Sequence, residues 1–409
     1  MPSITLEKVF DDFHFGMSIG IPFRYNKKDY FFVPSYDGTK VGIIDLQGNM
    51  ITINLSSSLN ELRYVRLLDA NMKGTKLYVR VFCGDRTNVR IRSVEFVVDL
   101  SAQTAEATEL WTLSSSDDAD ITSGKTYKSA VIPPRLIIHA EENKPYIWYI
   151  DAKDGSIIAK WDTGFSTYNP RASFKYVIKG DDVYILVGRH LNTANFYILK
   201  LYSQTLTEIS NSNPGGDSPN PALCSPFFSE RQYLFPASGA NVENSTPNIR
   251  WFDDDFSLVG TTSITSIYNK AHCYGFHPIG IDSDGNLVCF ALIMDNHVEI
   301  ATKSSLRILK ISLTDFSIVQ DILLKEYTDM NNTPIYANAT YSDWSKLPLI
   351  DKENGKLYML MHGYSGGSNA LYFYEIDISD LDIVEWNNFA FYKTVAKIPT
   401  LLNLMVTPL

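Results

Sequence analysis

Three groups of residues in this chain have the types and spacing to perform chemistry, and the first is the pattern Gly363-Tyr-Ser-Gly-Gly367. The spacing G-x-S-x-G is that of a nucleophile elbow, in which a strand, a sharp turn and a helix expose the serine oxygen. Residues 371–377 come next and alternate as a β-strand does, so the helix is missing. We therefore predict a flexible glycine-rich loop and no catalytic serine.

Carboxylates form the second group. The runs Asp117-Asp118-Ala-Asp120 and Asp253-Asp254-Asp255 could supply general acids or bases, but short acidic runs are typical of solvated loops and turns. Asp282-Ser-Asp-Gly-Asn286 has oxygen ligands at a spacing typical of calcium loops, yet the later glutamate of such a loop is missing. We predict a hairpin turn at 282–286.

The third group, His272, Cys273 and His277, contains ligand types that bind zinc. On a strand, Cys273 and His277 share one face and His272 points to the other, which leaves two ligands where zinc needs three or four. The sequence therefore predicts no metal site, no cofactor and no catalytic residue.

Composition limits the class of protein. The 409 residues are 45% hydrophobic and 20% charged, which is typical of a globular chain. The net charge is -10 and the basic residues are scattered, so nucleic acid is not expected as a partner. The four cysteines include no C-x-x-C pair. No segment resembles a signal peptide or a membrane span, so we expect no membrane insertion, and a place in the cytoplasm or in a virus particle.

The elements that must position any site recur along the chain as copies of one unit of four short strands. The point where the third strand meets its turn marks each copy, at an average step of about 55 residues. The marking residues are Asp45, Asp99, Asp151, Tyr202, Asp253, Ser312 and Asp377. We divide the chain into copies at 14–58, 59–114, 127–164, 170–212, 221–265, 272–326 and 341–390.

Four antiparallel strands per copy predict an all-β fold, a seven-bladed β-propeller that forms a single domain over residues 1–409. One blade cannot bury both of its faces, whereas blades stacked around an axis bury both. Residues 1–13 and 391–409 lie outside the copies, and we expect one of these tails to close the ring. Either terminus could do so.

Residues 149–164 carry an Asp, a small turn with Gly and a later Trp, and this stretch resembles the repeat of quinoprotein-like and kelch-like propellers. The other six copies keep the strand rhythm and mostly the Asp, but they lose the Trp and Gly. The resemblance implies the propeller architecture over roughly residues 14–390. Quinoprotein dehydrogenases have eight blades and a vicinal cysteine pair at the cofactor, and this chain has neither, so we expect no quinone.

The two ends of such a blade differ in the lengths of their turns. Turns between the first and second and between the third and fourth strands are tight and rich in Gly, Asn and Asp, as hairpins require. The other connections are long, among them those starting at Cys83, Gly188, Ser238, Met294 and His362 and the stretch 327–344. We call their common end the long-loop face and the opposite end the hairpin face.

Long loops on a rigid scaffold are where binding residues concentrate, so we predict a binding site on the long-loop face. Aromatic, His and Arg side chains supply most interface energy there. The candidates are Arg86, Arg189, His190, His297, Tyr341, Trp344, His362 and Tyr364.

The function that follows is a non-enzymatic scaffold binding a protein or glycan partner. The Asn-, Ser-, Thr- and Tyr-rich composition suits a structural or receptor-binding component of a virus particle, or a subunit of another assembly. The alternative is a carbohydrate-active or other hydrolase with two carboxylates about 5 to 10 Å apart in the central channel.

Overall fold

The computed structural model describes residues 1–11, 13, 20–85, 90–121, 128–132, 136–140, 144–162, 174–179, 182–190, 196–202, 207–212, 219–220, 227–229, 232–239, 248–255, 257–296, 300–337, 348–387 and 391–392. Within these residues the regular elements are β-strands and one turn of 3-10 helix, Ser379–Leu381. The predicted all-β class is confirmed. No helix in the described part of the chain is long and apolar enough to cross a membrane.

The described strands form seven sheets, antiparallel except for one parallel pair in the last, and the first four contain four strands each. The first strand of the chain, β1 (Ser3–Phe10), belongs to the last sheet. Sheet 1 contains β2 (Ile21–Tyr25), β3 (Lys28–Pro34), β4 (Lys40–Asp45) and β5 (Met50–Asn54). Sheet 2 contains β6 (Arg63–Lys73), β7 (Lys76–Asp85), β8 (Arg90–Asp99) and β9 (Thr104–Ser114). Sheet 3 contains β10 (Lys128–Ile132), β11 (Leu136–Ala140), β12 (Tyr146–Asp151) and β13 (Ile157–Asp162). Sheet 4 contains β14 (Phe174–Lys179), β15 (Asp182–His190), β16 (Phe196–Tyr202) and β17 (Thr207–Ser212).

The last three sheets carry additional short strands. Sheet 5 contains β18 (Pro219–Asn220), β19 (Phe227–Phe228), β20 (Tyr233–Gly239), β21 (Asn248–Phe252) and β22 (Leu258–Ser263). Sheet 6 contains β23 (His272–Asp282), β24 (Asn286–Met294), β25 (Ser304–Ser312), β26 (Ile318–Tyr327) and β31 (Ile383–Trp386). Sheet 7 contains β1, β27 (Thr333–Ala337), β28 (Leu349–Asp351), β29 (Lys356–Ser365), β30 (Ser368–Asp377) and β32 (Phe391–Tyr392).

Sheets 1 to 4 adjoin one another in chain order through their first strands, and so do sheets 5 to 7. β6 contacts β2 and β10, β10 contacts β14, and β23 contacts β19 and β27. One apolar cluster joins the last sheet to the first and includes Phe31 and Ile44 of sheet 1 with Leu360 and Phe373 of sheet 7. Sheets 1, 2, 6 and 7 each contribute to two apolar clusters and so bury both faces against neighbouring sheets, as the β-propeller repeat architecture requires.

Six of the seven residues that mark the copies in the sequence hold the turn that follows the third strand. The side-chain oxygen of Asp45 accepts hydrogen bonds from the backbone amides of Gln47 and Asn49, at 3.0 and 2.8 Å. The same carboxylate-to-amide bonding occurs in the turns after Asp99, Asp151, Asp253 and Asp377, and Ser312 does it with its hydroxyl. An Asp recurs there because its short side chain can satisfy the turn's backbone amides.

The N-terminal tail completes the last sheet. β1 pairs antiparallel with β30 from Ser3 opposite Asp377 to Phe10 opposite Leu371 and so takes the outermost position. Residues 383–386, at the end of the seventh copy, form β31, which pairs with the first strand of sheet 6.

Two of the connections assigned as long are shorter in the structure. The stretch 327–344 contains a strand, β27, which pairs with β29. The connection starting at His362 is a tight hairpin, because Ser365 pairs with Ser368 around Gly366 and Gly367. Positive φ angles of 55° and 78° explain the two glycines there, since other residues rarely adopt them. The predicted flexible loop at the G-x-S-x-G pattern is therefore replaced by strand and hairpin turn.

Candidate functional site

The long-loop face of sheet 7 is formed by two connections that bind each other. Asp329 begins a turn in which its carboxylate accepts hydrogen bonds from the Asn331 amide and the Asn332 side chain, at 2.9 and 2.7 Å. Asn332 Oδ1 in turn accepts the Gly366 amide at 2.8 Å, and the Asn331 carbonyl accepts the Gly367 amide at 3.0 Å. The β26–β27 connection is thereby fixed to the β29–β30 hairpin.

Two of the predicted binding residues, His362 and Tyr364, lie beside this pair of loops. His362 is 8% exposed, and its Nε2 lies 2.9 Å from Asn369 Oδ1. The Tyr364 ring meets the His362 ring edge to face at 6.3 Å between centroids. The Tyr364 carbonyl accepts a hydrogen bond from the Tyr372 hydroxyl at 2.6 Å. His362 is therefore a buried support of the face, and Tyr364 is half-buried at its surface.

The other predicted binding residues are not brought together by described contacts. Arg189 and His190 end strand β15, at the long-loop end of sheet 4. The remaining four lie outside the described residues: Arg86, His297, Tyr341 and Trp344.

The acidic run 117–120 is bound to sheet 3. Lys160 Nζ lies 2.9 Å from Asp118 Oδ1 and 2.5 Å from Asp120 Oδ2. The indole nitrogen of the buried Trp148 donates to Asp118 Oδ2 at 3.0 Å. Lys160 also lies 4.2 Å above the centre of the Tyr146 ring. This loop is therefore anchored by ion pairs and an aromatic support.

The protonation of Asp118 follows from these contacts. Burial opposes its ionisation, but hydrogen bonds from the Asp120 amide, Lys160 and Trp148 outweigh burial, so the pKa of Asp118 lies below its ordinary value. The pKa of Lys160 is raised, since its bonds to Asp120 and Asp118 outweigh its own burial. Asp118 and Lys160 therefore favour their charged forms, and a charged Asp118 is the opposite of a carboxylic acid poised to donate a proton.

A pair of arginines on sheet 2 was missed by sequence reasoning. Glu109 binds Arg90 Nη1 at 3.0 Å through Oε1 and Arg92 Nη1 at 3.3 Å through Oε2. The buried Arg92 also donates to the carbonyl oxygens of Asn60 and Glu61. The available signal was two arginines at i and i+2 of one strand, which places them on the same face. Arg92 fixes the connection that precedes sheet 2.

The remaining candidate chemistries resolve into structural contacts. Asp282 accepts hydrogen bonds from the amides of Asp284 and Asn286 and pairs with Lys310 at 2.8 Å, so the predicted hairpin turn is confirmed. The rings of His272 and His277 stack on Tyr274 and Phe290 respectively. Among the described residues no group of three or more His, Cys, Asp or Glu could hold a metal ion.

The axis side of sheets 5 to 7 differs from that of the other sheets. In sheet 5, β18 and β19 both pair with β20. In sheet 7, β27 and β28 both pair with β29. β31 pairs with the inner edge of β23, and β32 pairs in parallel with the inner edge of β28. The additional strands β31 and β32 therefore lie next to the axis, beside sheets 6 and 7.

No protein-family model matches the chain, and no curated protein matches it in sequence. Solved structures that are similar in shape include BamB from Moraxella catarrhalis, at 10% identity over 91% of this chain and 100% of the other, with a TM-score of 0.40. A streptogramin B lyase matches at 11% identity over 90% and 97% of the two chains, with a TM-score of 0.47. Virginiamycin B lyase from Staphylococcus aureus matches at 11% identity over 92% and 99%, with a TM-score of 0.49. Similarity at this level transfers no activity, and the repeat architecture rests on the sheet topology of the chain itself.

Proposed function

We propose that the protein is a seven-bladed β-propeller, formed as one domain by residues 1–409, that binds a protein partner at its long-loop face without catalysing a reaction. The seven sheets of the described residues, and the pairing of the N-terminal strand β1 with the last of them, support the blade count. The proposal for binding rests on the long-loop face, because fold alone does not give function.

The observation that carries the proposal is the fixing of loops on that face by hydrogen bonds. The Asp329 turn is bound to the Gly366–Gly367 hairpin, and the Asp118 loop is bound to Lys160. Loops that are ordered before binding lose less conformational entropy when a partner docks, so preorganisation favours affinity. Polar loops on a rigid sheet scaffold suit a polar protein surface.

The acidic run 117–120, which is bound to strand β13 of sheet 3, does not favour a hydrolase, and carboxylates in the central channel stay a prediction from the sequence. Asp118 and Asp120 are close enough to share one lysine, but hydrolysis by two carboxylates needs one of them to hold a proton near neutral pH. The lowered pKa of Asp118 opposes this. Lys160 also occupies the space between the two carboxylates that a substrate would need.

A protein partner is preferred to a glycan for a similar reason. Glycan sites use an open aromatic ring, and the Tyr146 ring is covered by Lys160. Glycan binding through Tyr341 and Trp344 stays a prediction from the sequence. A role as a structural or receptor-binding component of a virus particle, or as a subunit of another assembly, likewise stays a prediction from composition.

The test compares the two ends of one sheet. A photo-crosslinking amino acid replaces the exposed Ser368 on the long-loop face or, as the matched control, the exposed Glu353 on the hairpin face. In cells that make the protein naturally, we expect an adduct of defined mass from position 368 and none from position 353. Equal crosslinking from both positions, or none from either, would contradict the proposal.

A second arm separates binding from hydrolysis. The purified protein is incubated with a panel of polysaccharides and glycosides, and released reducing ends are measured. We expect no release above that of a heat-denatured sample. Release that is lost in Asp118→Asn would replace the binding proposal with the hydrolase.

A further inference from the structure

The chain that leaves sheet 7 turns inward and crosses to sheet 6. We call residues Ser379–Asn387 the strap. Ile378 and Leu381 are buried at its start, and Asp382 then adopts a left-handed conformation with φ 52°, which turns the chain. Ser283 donates to Asp382 through both its amide and its hydroxyl. The strap therefore starts beside the β23–β24 turn on the hairpin face.

From this point the strap adds a short strand to the inner edge of β23. Ile383 pairs with Asp282, Glu385 with Ile281 and Trp386 with Gly280. The Asn387 amide donates to the Ile279 carbonyl at 2.9 Å, and its side chain donates to the Pro278 carbonyl at 2.8 Å. The strap thus runs along the axis side of sheet 6, from the hairpin face inward.

Sheet 6 is shaped to receive the strap. A Cβ atom on Gly280 would lie 2.5 Å from the Glu385 carbonyl oxygen and 2.5 Å from Ile383 Cγ2. Contacts this short do not occur, so only glycine allows the strap to approach. Gly280 has no positive φ, and the closeness of the strap explains the residue better than backbone conformation does.

Between its two buried residues, Leu381 and Asn387, the strap buries much less apolar surface than the sheet beneath it. Ile383 and Trp386 are only partly buried, and Val384 is 65% exposed. By contrast, Leu287 to Met294 of β24 are fully buried. Segments with few buried apolar contacts open locally at free energies well below that of global unfolding.

We infer that the strap is a conformational unit that closes the axis side of sheet 6 at the hairpin face and opens while sheets 6 and 7 stay folded. Its hinge is Asp382, which has a left-handed conformation and lies between the buried Leu381 and the only partly buried residues that pair with β23. Opening exposes the inner edge of β23 from Gly280 to Asp282. The inference stands on strand pairing and does not depend on a partner at the long-loop face.

Native-state hydrogen exchange on the full chain tests this. The Asn387 and Ser283 amides report on the strap, because the strap pairing bonds both. The Phe290 amide, in the buried strand β24, reports on sheet 6. We expect strap amides to be protected in the absence of denaturant, yet to exchange at least about a hundredfold faster than Phe290, with little dependence on denaturant.

A variant locates the effect. Gly280→Ala places a methyl group against the strap, and we expect Asn387 exchange to rise about tenfold or more with Phe290 unchanged. Val384→Ala, at an exposed position of the strap, is the matched control and should leave Asn387 exchange within about twofold.

Three results would overturn the inference. The first is Asn387 exchanging together with Phe290 at the same denaturant dependence, and the second is an unprotected Asn387 in the unmodified chain. The third is Gly280→Ala leaving Asn387 exchange unchanged while the chain stays folded. If Gly280→Ala does not fold, the inference is tested by Asn387 exchange in the unmodified chain alone, through the first two results.

Discussion

The closure of the ring by β1 depends on a small polar network, and replacing Glu7 by Gln is the sharpest perturbation of it. Glu7 Oε2 lies 2.5 Å from Lys325 Nζ, and Glu7 Oε1 accepts the Tyr327 hydroxyl at 3.1 Å. The Tyr374 hydroxyl lies 2.5 Å from that of Tyr327. Burial raises the pKa of Tyr327 and Tyr374, so both hydroxyls stay protonated as donors.

The stability lost in Glu7→Gln can be worked out from the solvent exposure of the groups involved. The side chains of Glu7 and Lys325 are 24% and 37% exposed, so solvent screens their ion pair and its loss costs about 0.5 kcal/mol. The Tyr327 hydroxyl is buried, and changing its acceptor from a carboxylate to a neutral amide costs about 1 kcal/mol more. Together we expect a loss of about 1 to 2 kcal/mol, which is a factor of roughly 5 to 30 in the opening equilibrium of β1.

Hydrogen exchange of the β1 amides and equilibrium denaturation measure this loss. Lys8→Gln, which also changes one charge on β1 but at an exposed side chain, is the control and should cost less than about 0.5 kcal/mol. Equal β1 exchange in Glu7→Gln and Lys8→Gln would refute the reasoning. So would additive effects of Glu7→Gln and Lys325→Met, since residues in one network must couple.

Three further substitutions test other contacts by equilibrium denaturation. Lys160→Met leaves the part-buried Asp118 without its lysine and should cost about 1 to 3 kcal/mol. For Asp377, hydrogen bonds from Ser379 and the charge of Lys356 lower the pKa to about 2 from an ordinary 3.8. The ionised form therefore stabilises the fold above about pH 4, and this stabilisation is lost as the pH falls through 2. Asp377→Asn should cost about 1 kcal/mol of unfolding free energy at pH 7, a figure already discounted for solvent screening, and progressively less toward pH 2. Gly260→Ala places a Cβ 2.0 Å from a ring atom of Phe316 and should cost about 1 to 3 kcal/mol by overpacking.

Each of these substitutions has a neighbour as its control. Lys144 lies 3.8 Å from Asp120, and Lys144→Met should cost less than half as much as Lys160→Met. Asp284→Asn, at an exposed turn position, should cost less than half as much at pH 7 as Asp377→Asn. Val259→Ala, beside Gly260 but 41% exposed, should be nearly neutral. If a control variant loses as much unfolding free energy as its test variant, the stabilising role assigned to the corresponding contact is wrong.

The sequence was informative wherever local chemistry decides the structure. The alternation of strands and the Asp at the turn were sufficient to place the repeating unit, because Asp45 and its equivalents bind amides within four residues of themselves. Strand pairing at long range was not predictable in the same way. Residues 3–10 and 383–386 both read as short strands, and periodicity does not tell which edge each one joins.

The candidate site shows the same difference between local features, which the sequence predicts, and long-range contacts, which it does not. His362 and Tyr364 were expected as exposed anchors, but β29 and β30 extend through this region and bury His362. The anchoring of the Asp118 loop by Lys160 joins residues 42 apart in the chain, and the carboxylates alone did not reveal it. The class of a loop can be assigned from the sequence, whereas the residue that each loop side chain contacts is known only from the folded structure.

The closure of the ring by β1 also bears on the order of events during synthesis. Glu7 leaves the ribosome 367 residues before its partner Tyr374. At a synthesis rate of about 5 to 20 residues per second, roughly 20 to 75 s pass between the synthesis of β1 and that of β30, the strand with which it pairs. Throughout that time its backbone groups are an unpaired edge, open to strands of other nascent chains. The cell must therefore keep one end of this protein unassociated until the other is made.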